Sequence, residues 1–140
     1  MKKPKIKYSL LLTLLKAGDD RVFTLYGINP KGIVISQMEI PSSVKIGQKL
    51  NFEFEVTNTT KTEKYVRLEY AVYFLLKNGK LSRKVYKISE GPFTKKENKL
   101  VHRFHNFKII TTKKYYPGTH ELVIIANGKE IEKRSFVLKA

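Results

Sequence analysis

The side chains with the most chemistry to offer lie between Lys108 and Gly118. There Thr111, Thr112, Lys113, Lys114, Tyr115 and Tyr116 set two hydroxyls, two ammonium groups and two phenols in one connection. All three group types bond phosphate oxygens, and such contacts position a protein on a nucleic-acid backbone without reading its sequence. Thr111, Thr112, Lys113, Lys114 and Tyr115 are therefore candidate nucleic-acid contacts, with Lys84 and Arg103 as further cations on neighbouring segments. A competing reading gives at least one of the two tyrosines to the core beneath the loop. Other basic clusters are Lys2, Lys3, Lys5 and Lys7 near the start, Lys77, Lys80, Arg83, Lys84 and Lys87, and Lys95, Lys96 and Lys99.

Catalytic chemistry is poorly served. Cysteine is absent, which excludes a thiolate nucleophile, a thiolate zinc site and a disulfide scaffold. His102 and His105 are three apart in one strand-like segment and so project to opposite faces, leaving no shared ligand sphere with His120. Glu53 and Glu55, and again Glu130 and Glu132, alternate on polar strand faces among many lysines, as charge balance does. The eight glycines sit singly at turns and form no phosphate loop or dinucleotide fingerprint. Asn58-Thr59-Thr60 matches a glycosylation acceptor, without a secretion signal to bring it to the transferase. We expect no catalytic residue, no metal and no cofactor.

Charge is the strongest compositional fact: 28 Lys and Arg against 12 acids give a formal +16 over 140 residues. Such an excess attracts polyanions, nucleic acid first and an anionic membrane surface second. The apolar run Leu10-Leu11-Leu12-Thr13-Leu14-Leu15 is too short for a secretory h-region or a spanning helix, so the expectation is a cytoplasmic protein with no membrane partner.

The elements that must position these groups change character near residue 30. Before it, Tyr8, Leu11, Leu12 and Leu15 share a helical face, Gly18 suits a C-terminal cap, and Asp19 or Asp20 can start a second short helix from Arg21 to Tyr26. This predicts a helical hairpin over residues 1–30, apolar nearly all round and in need of a surface to pack on. From residue 31 to 140 the period is two. Leu50–Val56 alternates strictly, and Val66, Leu68, Tyr70, Val72, Phe74 and Leu76 make an apolar face whose reverse carries Arg67 and Glu69. Asn78-Gly79 and Asn127-Gly128 each supply the pair of positive-φ residues a tight hairpin wants. Further strands are expected at Ile33–Ile40 with a bulge between Ile35 and Met38, at Leu81–Ile88 as a Lys-rich edge, and at Leu100–Phe107, His120–Ala126 and Glu130–Leu138. The fold class is mainly β: a seven-stranded antiparallel immunoglobulin- or fibronectin-like sandwich. In such sandwiches a tyrosine corner precedes the penultimate strand, and His120 stands where that Tyr would be.

The segment Ile110-Thr111-Thr112-Lys113-Lys114-Tyr115-Tyr116-Pro117-Gly118-Thr119-His120, then Asn127-Gly128, resembles the C-terminal immunoglobulin-like domain of AlkC-type DNA alkylation repair proteins. So does Tyr70-Ala71-Val72-Tyr73-Phe74-Leu75-Leu76-Lys77-Asn78-Gly79-Lys80, with Lys84-Val85-Tyr86-Lys87 after it. Leu15-Lys16-Ala17-Gly18-Asp19 and Leu25-Tyr26-Gly27 resemble the last helical pair of that family's HEAT-like repeats. The resemblance implies a partner in alkylated duplex DNA and a repeat domain docking on the N-terminal helices. It also implies that base excision belongs to catalytic repeats that this chain lacks, so the chain alone is not expected to be an enzyme. A basic protein–protein module with no nucleic-acid role, pairing through the edge at Lys80–Ile88, is the rival reading.

Overall fold

The computed structural model describes residues 29–140. The expected helical hairpin lies outside the described residues. Within them the chain forms eight strands: β1 (Ile33–Glu39), β2 (Ser43–Lys45), β3 (Lys49–Asn58), β4 (Lys64–Leu75), β5 (Leu81–Phe93), β6 (Asn98–Asn106), β7 (Gly118–Ala126) and β8 (Lys129–Lys139). They make a three-stranded sheet, β1-β3-β6, facing a five-stranded sheet, β2-β8-β7-β4-β5. Alternation decides what lies between them. Leu50, Phe52, Phe54 and Val56 from β3 meet Leu68, Tyr70, Val72 and Phe74 from β4 and Leu122, Ile124, Phe136 and Leu138 from β7 and β8.

Two features correct the sequence reading. There are eight strands rather than seven, and the sheets are not wholly antiparallel, because β2 runs parallel to β8 at Ser43–Val137, Val44–Leu138 and Lys45–Lys139. Three residues are too few to display a period, and Pro41 interrupts the text just before them. The expected bulge is present: the β1–β3 register shifts between Ser36 and Glu39, with Gln37 at φ 52°. Beyond that kink Glu39 still pairs with Glu53, and only then does the chain cross to the other sheet.

The two Asn-Gly turns part company. Asn127 and Gly128 both have positive φ (46° and 84°) and close a two-residue hairpin between Ala126 and Lys129. At the other, Gly79 alone is positive (φ 82°); its amide donates to Leu76 O and the Leu76 amide to Lys80 O, giving a longer loop with the glycine at its bulge. A second departure is Arg67. Read as part of a polar reverse face, its side chain is only 2% exposed and lies between Glu69 (3.5 Å) and Glu90 (3.3 Å).

Candidate nucleic-acid interface

The loop from residue 107 to 117 joins β6 to β7, which lie in different sheets, and its footing is rigid. Phe107 is fully buried; its amide donates to Gln48 O and its carbonyl accepts from the Gly47 amide, clamping the loop to the β2–β3 turn. The Lys108 amide donates to Asn106 Oδ1, and an isolated bridge between Ile110 and Lys113 folds the tip back on itself. The Tyr115 ring packs edge-on to Phe107 at 5.2 Å. Below it His120, wholly buried, ties the loop to the sheet. The Leu75 amide can only donate to His120 Nδ1 (3.1 Å), so Nε2 carries the proton and donates to Tyr116 O (2.8 Å). That bond to a backbone oxygen four residues upstream is the tyrosine-corner contact, made here by an imidazole.

The candidate contacts therefore divide by position. Thr111, Thr112 and Lys114 are exposed. Tyr115 is half-buried, with its ring in the aromatic layer. Lys113 is half-buried too; its ammonium sits 3.4 Å from the centre of the Phe74 ring, and burial, with the charge of Lys84 second, pushes its pKa down. Lys84 and Arg103 lie on β5 and β6, the edge strands that face each other across the open side of the sandwich, where Tyr86 and His105 meet at 4.9 Å. Lys84 pairs in register with Val72 and Arg103 with Phe52, both core residues, so each cation has inward parity but sits at the open margin. Inward-pointing charge on an edge also discourages strand addition there.

Topology gathers more lysines than the sequence singled out. The β2–β3 turn, the β4–β5 hairpin, the β6–β7 loop and the end of β8 all lie at one end of the sandwich. They bring Lys45, Lys49, Lys77, Lys80, Lys108, Lys113, Lys114 and Lys139 together, with no Asp or Glu in those connections. The ion pairs among the described residues involve none of these eight. The connections at the opposite end instead mix Lys31, Lys61, Lys95 and Lys96 with Glu63 and Glu97. Lys45, Lys49 and Lys139 went unremarked in the sequence because each is a lone charge in its own segment.

Residues 34–140 match a family model described as uncharacterised protein YhaZ, C-terminal Ig-like domain. The chain belongs to the YhaZ C-terminal Ig-like domain family. Within it, the uncharacterized protein YhaZ of Bacillus subtilis (strain 168) is 38% identical over 119 residues, covering 84% of this chain and 33% of its own length. Among solved structures, the Pseudomonas fluorescens alkylpurine DNA glycosylase AlkC bound to DNA containing an abasic site analog superposes with a TM-score of 0.82 at 26% identity, over 93% of this chain and 37% of that one. This matches the resemblance read from the loop and hairpin motifs. A beta-glucosidase from Listeria innocua aligns at a TM-score of 0.64 and 10% identity, over 77% of this chain and 16% of that one, a likeness of fold alone. The chain thus spans about a third of the length of YhaZ and of AlkC.

Proposed function

We propose that this YhaZ-type Ig-like domain is the non-catalytic, DNA-gripping part of an alkylation-repair protein, holding the phosphate backbone of a duplex without reading its sequence. The observation that carries the reading is the acid-free end on which eight lysines converge. Lys84 and Lys113 lie close enough to repel one another with no carboxylate between them, an arrangement that an anion relieves. Likeness to AlkC, itself solved on DNA, supports the same partner. Thr111, Thr112 and Lys114 are the outward contacts of the loop, Lys113 and Tyr115 hold its shape while adding charge and a phenol, and Lys84 and Arg103 extend the grip along the open side.

Fluorescence anisotropy with a labelled duplex tests this directly. If six phosphates are engaged, affinity falls by roughly 10³ between 50 and 200 mM salt, equally for unrelated sequences. Lys113→Glu with Lys114→Glu weakens every duplex by a similar factor. Because Lys113 also packs on Phe74, the pair Lys108→Glu and Lys114→Glu, both exposed, is the control for folding. An unchanged isotherm for that second pair removes the loop from the interface. Incubated with methylated DNA, the chain alone releases no free base; release would overturn the non-catalytic reading.

A further inference from the structure

A phosphate grip accounts for the hydroxyls and ammonium groups of the β6–β7 loop but not for its isoleucines. Ile109 and Ile110 are 75% and 44% exposed, although the core lies directly beneath the loop. Together with Ile46 from the β2–β3 turn and Tyr115 they line a hollow of about 490 Å³. That volume falls within the roughly 300–1,000 Å³ of small-molecule sites. Ile46 and Tyr115 rest against the main core and supply a fixed apolar floor. The remaining lining is polar: Thr111, Thr112, Lys113 and Lys114, with no Asp or Glu. The Ile110–Lys113 bridge and the bond from the Lys108 amide to Asn106 Oδ1 hold the tip, so this lining is ordered before a ligand arrives.

Exposed apolar surface rimmed by polar groups marks a binding site. A lone phosphate has no use for three isoleucines and a tyrosine, and a purely apolar ligand has none for two ammonium groups. A flat ring joined to a phosphate uses both halves of the lining. In an intact duplex the bases show only their edges in the grooves. An unpaired nucleotide offers its ring face as well as its phosphate, and stacking on protein side chains accepts any base. Lys113 already rests on Phe74, which leaves the exposed Lys114 and the two threonine hydroxyls for the phosphate.

We propose that this hollow takes one unpaired nucleotide, its base against Ile109, Ile110 and Tyr115 and its phosphate at Thr111, Thr112 and Lys114. The inference rests on the loop's place in the DNA interface and adds to it a preference for DNA with an unpaired base over perfect duplex.

Fluorescence anisotropy compares a labelled duplex with the same duplex carrying a one-nucleotide bulge. Stacking of one base predicts about tenfold tighter binding of the bulged DNA. Ile109→Ser with Ile110→Ser, both at exposed positions, should abolish that preference and leave the affinity for perfect duplex and the urea midpoint unchanged. Equal affinity of the parent protein for the two DNAs overturns this proposal and leaves the backbone grip standing; binding to neither overturns both. A preference that survives in the double variant assigns it to the flexibility of bulged DNA and overturns the proposal too. In methyl NMR, thymidine 5′-monophosphate should shift the Ile109 and Ile110 signals and inorganic phosphate should not. Equal shifts with phosphate reduce the hollow to an anion site, and shifts with the mononucleotide but no bulge preference assign it to a free nucleotide; either result overturns the proposal. Binding to phosphatidylglycerol vesicles that the double variant abolishes would give the isoleucines to a membrane surface and overturn it as well.

Discussion

At the scale of single residues, two neutral imidazoles fix the aromatic layer under the loop. His105 shares a 3.0 Å hydrogen bond with Tyr70 OH, and burial, with the charge of Lys113 second, lowers its pKa from 6.5 to about 4. His120 is shifted in the same direction, by burial first, while its bond to Tyr116 O opposes the shift. Burial, with Tyr86 second, raises the Tyr70 phenol to about 12, so that it stays protonated as a donor. Below pH 6.5 the unfolded chain takes up protons on these histidines that the folded chain refuses. Stability is therefore fully present above 6.5 and falls as pH drops towards 4, by about 3 kcal/mol for His105. Urea midpoints between pH 7 and 4 should fall accordingly, and His105→Phe should flatten the curve. Asn127 is the second residue of this kind. Its φ of 46° suits Asn or Gly, but only the amide side chain joins Arg67, Tyr65 and Asn29. Asn127→Gly keeps the turn and loses those bonds, costing about 2 kcal/mol, and Asn127→Ala costs more because it adds backbone strain. Denaturant melts rank the two; equal stability of Asn127→Gly and the parent protein would show that the bonds contribute nothing.

At the scale of elements, the β6–β7 loop is a preformed arm rather than a slack connection. Its base is held by Phe107, Tyr115 and His120, and its closing glycine admits no larger residue. Gly118 has φ 140°, and a methyl group there would meet Leu75 Cδ2 at 2.5 Å. Gly118→Ala should cost about 1–3 kcal/mol from strain and displace Leu75, whose amide bonds His120. A urea midpoint equal to that of the parent protein would count against this tight fit. Lys113 and Lys114, adjacent in sequence, sit in different surroundings. Lys113→Ala gives up a cation–π contact and lowers stability by about 0.5–1 kcal/mol as well as weakening DNA binding. Lys114→Ala, from an exposed position, weakens binding with no change in the melt.

For the whole molecule, charge is sorted by end. Lys77→Glu with Lys80→Glu, on the acid-free end, should weaken duplex binding by one to two orders of magnitude and shallow the salt dependence by about two phosphates. Lys95→Glu with Lys96→Glu, at the opposite end, changes net charge equally and should alter affinity by only a few-fold through long-range attraction. Equal losses from the two pairs would mean diffuse attraction rather than an interface. The sequence by itself determined the alternation that builds β3 and β4, the bulge in β1, the Asn127-Gly128 turn, the corner role of His120 and the surplus of lysine. These are readable because each is written within a few consecutive residues, where period, φ preference and charge act locally. Only the tertiary structure decided that β2 pairs parallel to β8, that Arg67 is buried, that Lys113 folds onto Phe74, and that lone lysines from four connections share one end. Each of those depends on which distant segments the crossing of the chain between sheets brings side by side, and no local period or propensity encodes that adjacency.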